Sequence, residues 1–135
     1  MKTVLLVFLL LLTTSHCNTK PTNPILGQYE LVGHDASGGL ALSGTISFVS
    51  LEQNHLKGQC KIIREQNAPE GLYENEGNCE ALIDGNKISL DSAPDFDDAG
   101  LLLEGEFDGT TIRGVWKMDG FVTRLGGKFE AVKKV

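Results

Sequence analysis

This sequence lacks the motifs on which most catalysis is built. It has no G-x-S-x-G elbow, no H-E-x-x-H, no phosphate-binding P-loop, no dinucleotide-type glycine run and no C-x-x-C pair. Histidines are few, and beyond the N-terminal region only His34 and His55 remain as candidate bases. Both read as exposed strand-end residues and not as parts of a triad. No catalytic residue, cofactor or enzymatic activity is expected. Positive charge is also in the minority: 12 Lys and Arg against 18 Asp and Glu leave a formal charge of -6 at pH 7. That balance argues against nucleic acid and anionic membrane surfaces as partners, since both require basic patches. Long helical apolar patterns are scarce. In their place stand 16 glycines and many runs of strict apolar-polar alternation, which predict an all-β protein.

The chain opens Met1-Lys2-Thr3 and enters the run "VLLVFLLLLTT", an apolar stretch of about ten residues that is too short to span a bilayer as a stable helix. Its length and flanks predict a signal peptide covering residues 1–17. The following "TTSHCNT" permits cleavage after His16, cleavage after Cys17, or lipoprotein processing that leaves a lipidated Cys17. The polar stretch "NTKPTNP", residues 18–24, reads as a tether. The expected destination is secreted or cell envelope, periplasmic or outer-surface if Cys17 carries lipid, with that lipid as the only membrane contact.

Roughly 115 to 120 residues remain after such processing, enough for one domain and one core, assigned to 25–135. Cys60 and Cys79 enter an oxidising compartment, where thiols tend to pair. They lie on consecutive expected strands and face the same way, which predicts a disulfide; two buried free thiols would also suit the apolar faces they occupy.

Eight strands are expected: Gln28–His34, Leu40–Ser50, Asn54–Glu65, Gly77–Asp84, Asn86–Asp91, Gly100–Phe107, Thr111–Met118 and Phe121–Val132. Glycine recurs on the apolar face, as in Leu42-x-Gly44-x-Ile46-x-Phe48, Leu103-x-Gly105-x-Phe107, Ile112-x-Gly114-x-Trp116 and Leu125-x-Gly127-x-Phe129. A mid-strand glycine costs roughly 0.5 to 1 kcal/mol relative to alanine. Two compensations are open: glycine permits the hard bend of a small barrel, or it leaves interior space for large rings or a ligand. The connections at 51–53, 84–86 and 108–110 are short, with Asp-Gly pairs in the last two that suit tight hairpins. Those at 35–39, 66–76 and 92–99 are longer and fall at the opposite end. That end is the expected mouth.

The acidic connection "SAPDFDDAG" places Asp95, Asp97 and Asp98 before Gly100 and Glu106. Set against a calcium loop it has alanine at the fifth position and strands as flanks, so it reads as a solvated acidic turn, with no metal site. Tyr29, Phe48, Phe107, Trp116 and Phe129 fall on the inferred inner faces, where they either pack the core or line a ligand. Tyr73 and Phe96, in the long connections, have no core to explain them and are the candidate mouth residues.

Gly27-Gln28-Tyr29 stands at the start of the first strand, where lipocalins and avidins have G-x-W. With the repeated apolar-x-Gly-x-aromatic strands and the late Gly114-Val115-Trp116, the region Ile25 to Val132 resembles the calycin-like barrels: lipocalins, fatty-acid-binding proteins and avidins. Tyr29 in place of tryptophan departs from that pattern, and the biotin-contacting set of avidins has no match. The resemblance implies an eight-stranded antiparallel up-and-down barrel that binds a small, apolar molecule at the long-loop end. Small secreted protease inhibitors are similar too, and they imply the alternative: a solid barrel that docks on a protein partner through its tether or loops.

Overall fold

The computed structural model describes residues 23–72, 74–95, 100–119 and 124–135, with Asp119 and Arg124 described by their backbone alone. The alternating segments form β1 (Gly27–Asp35), β2 (Leu40–Glu52), β3 (His55–Arg64), β4 (Asn75–Asp84), β5 (Lys87–Asp91), β6 (Leu102–Phe107), β7 (Thr111–Asp119) and β8 (Arg124–Lys133). Each strand pairs antiparallel with the next, and β8 returns to β1. The result is a closed up-and-down barrel, as the patterning predicts. β2 ends at Glu52 instead of Ser50, β4 starts at Asn75 instead of Gly77 and β6 at Leu102 instead of Gly100, while several other strand ends move by a single residue. Residues 121–123, the expected start of the last strand, lie outside the described residues.

Period-2 patterning fixes which face is wet. In β3, Leu56, Gly58, Cys60 and Ile62 are buried while Lys57, Gln59 and Lys61 are exposed. Outside, β3 and β4 set Lys57 opposite Glu80 and Lys61 opposite Glu76, with Gln59 and Asn78 hydrogen-bonded between them. A slip of one residue would bury these polar side chains, so the complementary pairs and the apolar inner face select one register.

The inward cysteines are bridged. Cys60 and Cys79 sit diagonally on β3 and β4 with Cα atoms 5.7 Å apart, each opposite a glycine, Gly77 and Gly58 respectively. Both are buried in the core.

The inward glycines meet both demands that patterning left open. One inner row runs Leu42, Gly33, Phe129, Gly114, Gly105, Ile88 and Ile83 around the barrel from β2 through β1 and β8 to β4. A Cβ on Gly105 would stand 2.5 Å from the Arg113 carbonyl oxygen and 3.0 Å from Phe129 Cζ, so that glycine both admits a close strand and leaves room for a ring. At Gly114 the obstacle is backbone: a Cβ there would collide with the Glu104 carbonyl oxygen and lie 2.5 Å from Gly105 Cα. Trp116 is not what fills that space. Gly114 marks a place where β6 and β7 approach so closely that only hydrogen fits, a device that bends strands into a narrow barrel.

The β6–β7 turn at the closed end is tied by a carboxylate. Asp108 Oδ1 accepts from the Thr110 and Thr111 amides at 3.0 and 2.8 Å, and Oδ2 accepts from Arg113 Nη1 at 2.9 Å. At the other end Asp35 Oδ1 accepts from the Ser37 hydroxyl at 2.6 Å and from the Gly39 amide at 2.9 Å. The backbone donors of Thr110 and Thr111 hold the Asp108 carboxyl below its ordinary range, and the Ser37 hydroxyl followed by the Gly39 amide does the same for Asp35. A lowered folded-state pKa gives stability that is complete above the unfolded value, about 3.9, and fades as pH falls through the lowered one. The melting temperature should therefore decline on acidification below about pH 4, and an Asp35→Asn, Asp108→Asn double variant should lose less over that range. An identical decline in parent and variant would show that these turns contribute nothing to acid sensitivity.

Candidate functional site

The interior divides into two halves of different construction. At the closed end, strands and the residues just before β1 supply everything. Ile25 and Tyr29 are buried there, and the Tyr29 hydroxyl donates to the Ile25 carbonyl at 2.8 Å. The Tyr29 ring packs edge-on against Phe48 at a centroid distance of 5.8 Å and against Phe107 at 6.4 Å, the arrangement that ring quadrupoles favour. Burial pushes the Tyr29 phenol up to about 12, so it remains a neutral donor at any physiological pH. Phe107 is only partly buried and closes the rim. This half is a plug.

The long-loop half is built differently. Trp116 is buried, and its indole Nε1 donates to the His34 carbonyl at 2.8 Å, reaching across β8 from β7 to β1. Gly127 pairs with Trp116 on one side and Asp35 on the other, and a Cβ on it would collide with that same His34 oxygen. Phe129 is buried below. Over them the connections contribute apolar side chains of their own: Ala68 and Leu72 from the β3–β4 connection, Ala93 and Leu101 from the β5–β6 connection, all buried. Ser92 ties the second connection, its hydroxyl accepting from the Leu101 amide at 2.9 Å. Asn75 joins the two by donating to the Ser92 carbonyl at 2.7 Å.

Of the expected interior set, Tyr29, Phe48, Trp116 and Phe129 are buried and Phe107 is half-buried, but the structure splits them: Tyr29, Phe48 and Phe107 form the plug, Trp116 and Phe129 the other half. Tyr73 and Phe96, together with Cys17, Asp97 and Asp98, lie outside the described residues. Leu101 falls in the expected strand Gly100–Phe107, in phase with the inward Leu103, whereas Ala68, Leu72 and Ala93 were not singled out by patterning. They sit in connections, where no period distinguishes an inward residue from an outward one. His34 and His55 are exposed at strand ends, and Glu106 is exposed on the outer wall.

Among the described residues, the buried polar side chains are Ser92 and Thr111, and no charged side chain is buried. Three cavities lined by described residues lie on the outer wall and rim. One of about 660 Å³ crosses β4, β5 and β6 near their short turns, with Leu82, Ser89 and Glu104 on one bank and Asp84, Lys87 and Glu106 on the other. A second, of about 500 Å³, crosses β1, β8 and β7 between Val32, Glu130 and Arg113 and the next outward row of His34, Lys128 and Val115. Its floor is the row that contains Gly114. It shares His34, Val115 and Lys128 with a third, of about 670 Å³, beside the β1–β2 turn.

Solved structures of the same architecture exist. The structure of EF1p2_mFAP2b bound to DFHBI matches with a TM-score of 0.59 at 11% identity, over 82% of this chain and 94% of that one. A redesigned beta barrel, mFAP0, bound to DFHBI, matches with a TM-score of 0.52 at 10% identity, over 82% of this chain and all of that one. Another redesigned beta barrel gives 0.55 at 8% identity, over 83% of this chain and 93% of that one. The fold they share with this chain is a small β-barrel, closed here by eight antiparallel strands. At these identities the likeness concerns the fold alone. No family model and no curated protein matches the sequence.

Proposed function

We propose that this protein is an exported, non-enzymatic barrel that holds a small, neutral apolar molecule in its long-loop half. The observation that carries this reading is the asymmetry of the interior. An aromatic plug seals one end, whereas the other is roofed by Ala68, Leu72 and Leu101, which lie outside the strands. Loops drawn from the low-stability end of a structure are where binding sites open. The absence of a buried charge among the described residues selects against a ligand with a carboxylate at depth, because a buried unpaired charge costs several kcal/mol. Two barrels of this fold hold DFHBI, which supports the use of such an interior for a small molecule. Export rests on the N-terminal apolar run and agrees with the buried disulfide. Intact mass of the exported protein should lack Met1 to Leu12; a mass that retains them overturns export.

Trp116 is the single tryptophan, so quenching of its emission reports on the long-loop half. Titration with retinol and phenylnaphthylamine should quench it with micromolar dissociation constants, and a fatty acid should bind more weakly than the neutral probes. Binding no tighter than about millimolar, where only roughly 4 kcal/mol is at stake, overturns the ligand reading. A second reading would then lead, the solid barrel that docks on a protein. It is favoured by three cavities on the outer wall and rim, where a protein partner could seat.

A further inference from the structure

The β3–β4 connection leaves β3 at Arg64 and immediately turns inward. The Glu65 amide donates to the Ala41 carbonyl at 3.0 Å, and the Ala68 amide donates back to the Glu65 carbonyl, also at 3.0 Å. That tight turn drops Ala68, and then Leu72, into the barrel end, where both are buried. The Arg64 side chain folds over the same turn. Its Nη2 donates to the Ala68 carbonyl at 2.8 Å and reaches the Pro69 carbonyl at 3.4 Å, while its own backbone amide donates to Glu74 Oε1 at 3.0 Å. A guanidinium is suited to this because it offers several donors in a rigid plane and never loses its charge.

We propose that Glu65–Leu72 is a hinged strap closing the long-loop end and that Arg64 is its latch. Among the described residues the strap owes its seat to the hydrogen bond from the Glu65 amide to Ala41 at its root, the burial of Ala68 and Leu72, and the bonds from one guanidinium. The strand bonds on either side do not depend on it. Without the latch, the strap should leave the barrel end more often while the barrel stays intact. The inference that this motion gates ligand exchange rests on the ligand-binding reading above; the inference that Arg64 holds the strap does not.

The test therefore has two arms. In the first, amide hydrogen exchange is measured without ligand on the full chain, its Arg64→Ala variant and its Arg64→Lys variant. Loss of a charge-assisted bond should speed exchange of the Ala68 amide about tenfold in Arg64→Ala, with partial restoration in Arg64→Lys, while the Leu56 and Ile62 amides of β3 keep their rates. Unchanged exchange at Ala68 in Arg64→Ala, or equal acceleration at Leu56 and Ile62, overturns the latch. In the second arm, stopped-flow mixing with phenylnaphthylamine should show association and dissociation both faster by about tenfold in Arg64→Ala, with the dissociation constant changed less than about threefold. Equal rates in parent and variant overturn the gate. If phenylnaphthylamine binds neither protein, the ligand reading and the gate fall together, and the exchange arm alone decides the latch.

Discussion

Gly114→Val should be among the most damaging single changes, lowering stability by about 3 kcal/mol or more and the melting temperature by over roughly 10 °C. Ordinary overpacking costs about 1 to 3 kcal/mol because side chains can shift rotamer. Here the incoming Cβ meets the Glu104 carbonyl and lies 2.5 Å from Gly105 Cα, and backbone has no rotamer to take. Either β6 and β7 separate at a central rung, losing ladder bonds, or the barrel opens. Gly105→Val should cost somewhat less. Its Cβ would stand 2.5 Å from the Arg113 carbonyl oxygen, but one of its other near neighbours is the Phe129 ring at 3.0 Å, which can tilt. Val115→Thr, at the next and outward position, is half exposed and should leave the melting temperature nearly unchanged. Thermal melts of the three variants decide the matter: a Gly114→Val protein that melts like its parent would mean the β6–β7 register is wrong.

The same glycines show how far the sequence could be read. Alternation alone places Gly105, Gly114 and Gly127 on the inner face, because a strand's period of 2 leaves no other choice once Phe129, Trp116 and Leu103 are assigned inward. It does not say what each glycine faces. That depends on the path of the neighbouring strand, which is set by closure of the barrel and not by local pattern. Gly127 could be read as space beside Trp116, yet what excludes a side chain there is the His34 carbonyl on β1, the acceptor of the Trp116 indole. His34 and Trp116 are far apart in sequence, and nothing in either local pattern points to the other.

The candidate site was legible to a lesser degree. The short and long connections sort to opposite ends as their lengths predict, and the aromatics of the strands fall inside or at the rim. What patterning missed is that the β3–β4 connection sends Ala68 and Leu72 into the core. Small apolar residues in a loop carry no period, and the prominent Tyr73 and Phe96 drew attention away from them. The difference bears on the proposed function, because on that reading a ligand entering at this end would meet these side chains.

Removing the bridge between Cys60 and Cys79 should have an effect close to that of Gly114→Val. The bonded cysteines are 19 residues apart, and closing a loop of that size restricts the unfolded chain by about 3 kcal/mol in the chain-entropy model. A Cys60→Ala, Cys79→Ala variant should melt roughly 10 °C or more below the parent. Part of the loss is packing, since both sulfurs are buried in the core and truncation leaves a small void between Gly58 and Gly77. The two contributions separate on comparison with the parent reduced while unfolded and then refolded under reducing conditions. That protein keeps both sulfurs and loses only the covalent link, so it should melt between the parent and the double variant. Burial also predicts kinetic protection: a reductant added to the folded parent should react only as fast as the barrel opens. Thiol titration of the denatured, unreduced protein supplies the direct check, with no reactive thiol expected at Cys60 or Cys79. Two reactive thiols at those positions would refute the bridge and assign the buried pair to packing alone.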